Sequence, residues 1–108
     1  METDISSNYR VTDLSSIKTI AIDDAETFEV DDAISFERIE SRNLIWVHIA
    51  DVASNVKEGT DLDNQAFSNT CSRYFASRTE TMFPINLVKN DLSLTTLEKR
   101  KAISICVE

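Results

Sequence analysis

Between positions 21 and 37 the chain reads AIDDAETFEVDDAISFE, and ten consecutive residues of it carry six carboxylates: Asp23, Asp24, Glu26, Glu29, Asp31 and Asp32. Like charges at this spacing repel, and a carboxylate drawn out of water is costly unless something pairs with it. A solvated tail would hold such a run cheaply. Here, however, Ile22, Phe28, Val30, Ile34 and Phe36 are threaded through it, which marks the run as part of a folded core.

Three readings of the run follow from its chemistry. A calcium loop of the EF-hand kind needs Gly at its sixth position, and counting from Asp23 the sixth residue is Phe28, so that reading is excluded. A solvated acidic face accounts for Asp24 and Glu26. It does not account for Asp32, which shares the two-residue parity of Phe28, Val30, Ile34 and Phe36 and on a continuous strand projects toward the core; either a bulge re-aims it or something inside binds it. A divalent-cation site accounts for the whole group, because hard cations take oxygen ligands and remove the repulsion between them. Asp23 before a turn and Glu29, Asp31 and Asp32 after it can converge on one or two ions. Two ions held about 4 Å apart are an arrangement that cleaves phosphodiesters.

Charge narrows the partners. With 19 acidic against 11 basic residues the net charge is -8, the wrong sign for a protein that binds nucleic acid through a basic surface. A polyanionic substrate therefore needs cations or a basic partner. At 108 residues, 42% of them hydrophobic, the chain makes one domain at most. Cys71 and Cys106 form no C-x-x-C pair, so reduced thiols in a cytoplasmic protein are expected. No apolar run approaches the length of a membrane span. Gly59 and Pro84 are the single glycine and proline, few for a complete catalytic domain.

Residues 1–16 read as a polar leader. A short strand is expected over 17–22, and a strand over 33–39 with Ile34 and Phe36 on one face and Ser35 and Glu37 on the other, wet one. ESRN at 40–43 is a turn cluster, and LIWVHIADV at 44–52 is a central strand completing a hairpin. A helix capped by Thr60 or Asp61 follows over about 61–72. Residues 77–92 read mostly as loop, and the alternation of KAISICV gives a closing strand over 102–107. His48, alone on a central strand, reads as a satisfied interior residue, Trp46 as core, and Asp51 as a cap for the next turn. Arg73, Arg78 and Lys89 are scattered cations without a pattern.

The order of the segments carries more information than their composition. TIAIDDAETFEVDDAIS, then WVHIADV with GTDLDNQA, then SRYFASRTETMFP, LSL and RKAIS resembles the opening of the catalytic domain of the ribonuclease II/ribonuclease R (RNB-type) family, hydrolytic 3′-to-5′ exoribonucleases. The resemblance runs roughly from Lys18 to Val107. It implies an α+β fold, a mixed sheet with a β-hairpin and one main helix, with 17–108 a partial or miniature catalytic domain. It further implies Mg²⁺, one or two ions, held by Asp23, Glu29, Asp31 and Asp32, with Asp31 indispensable and Asp23 and Asp32 as anchors. The family usually has Asp where Glu29 stands. Tyr74 matches the tyrosine of S-x-Y, which in relatives contacts bases of single-stranded RNA. Relatives are several times longer, so missing domains or a basic protein partner would supply the RNA-binding surface. The alternative is a non-catalytic RNA-binding or regulatory remnant of the same fold.

Overall fold

The computed structural model describes residues 11–108; most of the expected 1–16 leader lies outside them. Its frame is one four-stranded sheet in the order β1 (Thr19–Ile20), β2 (Asp32–Ile39), β3 (Arg42–Ala50) and β6 (Ala102–Val107). Every pairing is antiparallel, so the α+β class holds while the sheet is antiparallel throughout and not mixed. The β2–β3 hairpin runs in unbroken register from Asp32 opposite Ile49 to Ile39 opposite Arg42. Its two-residue turn needs one left-handed residue, supplied here by Glu40 at φ 55°.

Helix α1 (Asp61–Asn69) starts as expected: Thr60 Oγ1 accepts from the Asp63 amide, and Asp63 Oδ2 accepts from Gly59 N–H at 2.9 Å. It stops at Asn69 and not at 72, because Thr70 turns left-handed at φ 67°. The segment expected as loop holds more structure. β4 (Arg73–Tyr74) pairs with β5 (Thr79–Glu80) as a separate hairpin. Pro84 then opens a short helical segment, α2 (Ile85–Leu87), which runs into a π-helical turn over Val88–Leu92. Val88 and Leu92, on successive turns, are 2% and 4% exposed, and with Ala66 and Val56 they form most of the small core.

The faces of the sheet are inverted relative to the apolar pattern. Ala33 and Ser35 are buried, whereas Ile34 and Phe36 lie 37% and 59% exposed. The register carries this across the sheet, aligning Ile20, Ile34, Val47 and Ile105 in one row and Phe36, Ile45 and Val107 in the next. The physical reason is a polar row on the buried face that touches all four strands. Thr19 Oγ1 donates to the Ile17 carbonyl at 3.0 Å and so accepts from Ser35 Oγ at 2.7 Å. Ser35, its proton spent, accepts from His48 Nε2–H at 2.8 Å, which leaves Nδ1 to accept from Ser104 Oγ at 2.8 Å. His48 is thereby the satisfied interior residue expected, 7% exposed. The chain is correspondingly flat: its radius of gyration is 16.1 Å, against about 13 Å for a compact chain of this length.

Burial holds the His48 pKa below its ordinary value. A folded-state pKa below the unfolded one means stability present above about pH 6.5 and lost as pH falls toward the folded value. Urea unfolding between pH 7 and pH 5 is expected to show a falling midpoint, and His48→Gln is expected to flatten that dependence.

Candidate functional site

The acidic run is the loop joining β1 to β2. A turn closed by Thr27 N–H donating to the Asp24 carbonyl at 2.9 Å separates Asp23 from the later carboxylates. Beyond it the loop is pinned at three points. Val30 N–H donates to Ser93 Oγ at 3.0 Å, Leu94 N–H to the Val30 carbonyl at 2.8 Å, and Ala50 N–H to the Asp31 carbonyl at 2.9 Å. Those bonds are available because Ser93 is only 1% exposed at the end of the 85–92 helical segment. Val30 and Asp31 are therefore fixed by backbone hydrogen bonds.

Asp31 stands at the centre of the charge. Its carboxyl is pushed above the ordinary carboxylate range, first by burial and then by the charges of Glu29, Asp32 and Asp23, in that order. The other three carboxylates singled out in the sequence thus all act on Asp31. Among the described residues no Lys or Arg forms an ion pair with any of them: the five pairs are Arg42–Glu108, Arg73–Glu80, Arg78–Glu80, Lys99–Asp13 and Arg100–Glu98. Also among the described residues, no three carboxylate, His or Cys side chains stand within joint reach of one ion. The four groups are neighbours held apart, as uncompensated like charges are.

Glu29 and Asp31 open onto a pocket of about 450 Å³ that is also lined by Cys71, Tyr74, Phe83 and Val88. Asp23 and Asp32 do not line it; both lie exposed at its acidic rim. The hairpin β4–β5 brings Tyr74 to Glu29, with the phenol donating to Oε2 at 2.6 Å. That bond, reinforced by burial and by the charges of Glu29, Asp31 and Asp23, pushes the phenol pKa up to about 12. Tyr74 remains 66% exposed, so much of its ring is free.

Two residues that matter here had been given no role. Ser72 donates to Glu29 Oε1 at 2.7 Å, and Ser93 anchors the loop. Ser72 opens the SRY segment and Ser93 is the middle residue of LSL, but nothing local in either segment pairs it with Glu29 or Val30. Asp51 caps the next turn as expected, its Oδ1 accepting from Ser54 N–H at 3.2 Å. Trp46 is half-buried, and its Nε1–H donates to Glu37 Oε2 at 2.9 Å. Arg73 and Arg78 pair with Glu80, and Lys89 sits 5.1 Å from the centroid of the Phe28 ring.

The profile of the RNB domain matches residues 11–108. The chain is 36% identical over 99 residues to the chloroplastic/mitochondrial ribonuclease II of Arabidopsis thaliana, covering 91% of this chain and 12% of that protein. It is 38% identical over 93 residues to ribonuclease R of Thermotoga maritima, covering 85% and 13%. Among solved structures it superposes on Mycoplasma genitalium RNase R in complex with ribose-methylated single-stranded RNA with a TM-score of 0.84, at 25% identity over 99% of this chain and 17% of that one. The apo form of the same enzyme gives 0.81 at 27% identity, covering 88% and 15%. The chain thus spans about an eighth of the length of the relatives named.

Proposed function

The chain belongs to the RNB domain family, and from that premise we propose that it carries the metal-binding part of a Mg²⁺-dependent 3′-to-5′ exoribonuclease, which hydrolyses single-stranded RNA to nucleoside 5′-monophosphates. The observation that carries this reading is Asp31: a carboxylate lining a pocket, pushed up by desolvation and by three neighbouring carboxylates, and among the described residues paired with no cationic side chain. Oxygen donors bearing excess negative charge fit a hard divalent cation. On this reading Asp31 holds the ion, with Asp23 and Asp32 drawn in from the rim, and the carboxylates close up on binding because their repulsion is then offset. The bound ion supplies activation of water and stabilisation of the leaving oxygen. The backbone bonds of Val30 and Asp31 hold the Asp31 carboxylate in place for that role, and the Tyr74 ring offers a stacking surface that tolerates any base.

The comparison with RNase R bound to single-stranded RNA supports RNA as the substrate class. The charge of -8 and the open pocket favour a phosphate-binding surface supplied mostly by other domains or a basic partner. Exposed free thiols at Cys71 and Cys106 suit a reducing compartment such as the cytoplasm. Among the described residues no helix is long and apolar enough to cross a membrane. A second reading, a non-catalytic RNA-binding or regulatory module, is favoured by one observation: the carboxylates are not gathered within joint reach of an ion.

End-labelled single-stranded RNA incubated with the chain, with and without Mg²⁺, separates the two. Stepwise shortening from the 3′ end that requires Mg²⁺ and is lost in Asp31→Asn is the result expected of the enzyme. RNA retained without shortening is the result expected of the module.

A further inference from the structure

Both oxygens of Glu29 are already engaged. Ser72 Oγ donates to Oε1 at 2.7 Å and Tyr74 Oη donates to Oε2 at 2.6 Å, lengths of the short, charge-assisted class of hydrogen bond. Each hydroxyl has one proton, and it is spent on this carboxylate. Ser72 Oγ in turn accepts from the Met82 amide at 3.0 Å, and the Met82 carbonyl accepts from Asn69 Nδ2 at 2.9 Å. One hydrogen-bonded path therefore leads from the acidic loop through Glu29 to the β4–β5 hairpin and on to the end of α1.

We propose that Glu29 is a positioning residue and not a cation ligand: it latches the β4–β5 hairpin to the acidic loop and aims Tyr74 at the pocket beside Asp31. The pocket's role in receiving RNA next to an ion rests on the reading above; the latch itself does not. Two arguments carry it. The hydroxyl protons of Ser72 and Tyr74 take one lone-pair direction on each Glu29 oxygen, so the hairpin already fixes the orientation of the carboxylate without an ion. The hairpin also has little else to hold it, since it consists of two residue pairs, and so short a two-stranded ribbon is marginal by itself. Its other ties are the Asn69 Nδ2–Met82 carbonyl bond to the end of α1, and, within the hairpin, Phe75 N–H to the Arg78 carbonyl at 2.8 Å and the exposed ion pairs of Glu80. Glutamate reaches both hydroxyls from the loop. Aspartate, one methylene shorter, would keep the charge and lose the reach.

That difference is the test. The chain has two tyrosines, so in a Tyr9→Phe background ultraviolet absorbance follows Tyr74 alone. Its ionisation, near pH 12 in the parent, is expected to fall toward the ordinary phenol value of about 10 in both Glu29→Gln and Glu29→Asp. Calorimetric titration with Mg²⁺ alone is expected to give affinities within about twofold of the parent in both variants, against a loss of about tenfold or more in Asp31→Asn. Ser72→Ala, a milder change, is expected to speed amide exchange of Met82 while the fold persists by circular dichroism. The proposal is overturned if Tyr74 titrates unchanged in the Glu29 variants, or if those variants lose Mg²⁺ as Asp31→Asn does. A parent that binds no Mg²⁺ overturns the nuclease reading instead, and the Tyr74 titration still decides the latch.

Discussion

Mg²⁺ at about ten times its dissociation constant is expected to raise the thermal midpoint of the chain by roughly 6 to 11 °C, and Asp31→Asn is expected to abolish that rise. Ligand binding to the folded state alone stabilises by RT ln(1 + [L]/Kd), about 1.4 kcal/mol at that excess. For a chain of this size each kcal/mol moves the midpoint by about 4 to 8 °C. A second effect runs the other way. The folded-state pKa of Asp31 is raised, so its contribution to stability is present below the unfolded carboxyl value and lost as pH rises through the folded one. At pH 7 the ionised Asp31 is therefore a burden on the metal-free fold. Asp31→Asn removes it and is expected to melt higher without metal, by a fraction of a kcal/mol once solvent screening is allowed for. The variant should thus be the more stable protein without Mg²⁺ and the less stable one with it. A rise with Mg²⁺ that NaCl of equal ionic strength reproduces, or one that survives in Asp31→Asn, contradicts the assignment.

Val88→Asp is expected to remove several kcal/mol of the chain's stability, while Ile105→Asp leaves it nearly unchanged. Val88 is 2% exposed and packs beneath the pocket that Asp31 lines. An unpaired carboxylate there costs several kcal/mol, about 3 to 5 by analogy with orphaned buried charges, out of a total stability of about 5 to 15 kcal/mol. Ile105 sits mid-sheet and, from the apolar pattern, would rank as core. It is 57% exposed on the open face, where a substitution typically moves stability by about 0.5 kcal/mol or less. Urea denaturation followed by circular dichroism compares the two directly. Equal losses would mean that the Ile34–Val47–Ile105 row is covered, contrary to the structure.

The inversion of the sheet shows where sequence reasoning stops. Strand existence, the β2–β3 pairing and the start of α1 could be read from alternation, turn residues and caps, because those signals are local. Which face turns inward was not local. Apolar alternation in β2 puts Ile34 and Phe36 inside, yet Ser35 of β2 turns inward to bond His48 of β3, which Ser104 of β6 bonds from the other side, while Thr19 of β1 bonds Ser35. The consequence reaches the site: Asp32, in the parity of Ile34, lies exposed where alternation pointed it at a core. Residues 85–92 were missed for a related reason. The stretch around Pro84 reads as loop, although proline suits a helix start, and Val88 and Leu92 have the spacing of successive turns on one buried helical face.

The candidate site divides the same way. That Asp23, Glu29, Asp31 and Asp32 belong together could be read from the turn between them. That Asp31 is the member its neighbours act on, and that Glu29 is held by Ser72 and Tyr74, depends on where the hairpin lands more than forty residues later. No spacing rule contains that contact.

Crystals of the chain grown with Mn²⁺, which shares the oxygen-ligand preference of Mg²⁺ and scatters anomalously, put the central claim to its most direct trial. The account predicts an anomalous peak in contact with Asp31, with Asp23 or Asp32 drawn in as the second ligand and Glu29 still bonded to Ser72 and Tyr74. A peak away from Asp31, or none at saturating Mn²⁺ with the carboxylates still spread apart, would contradict it.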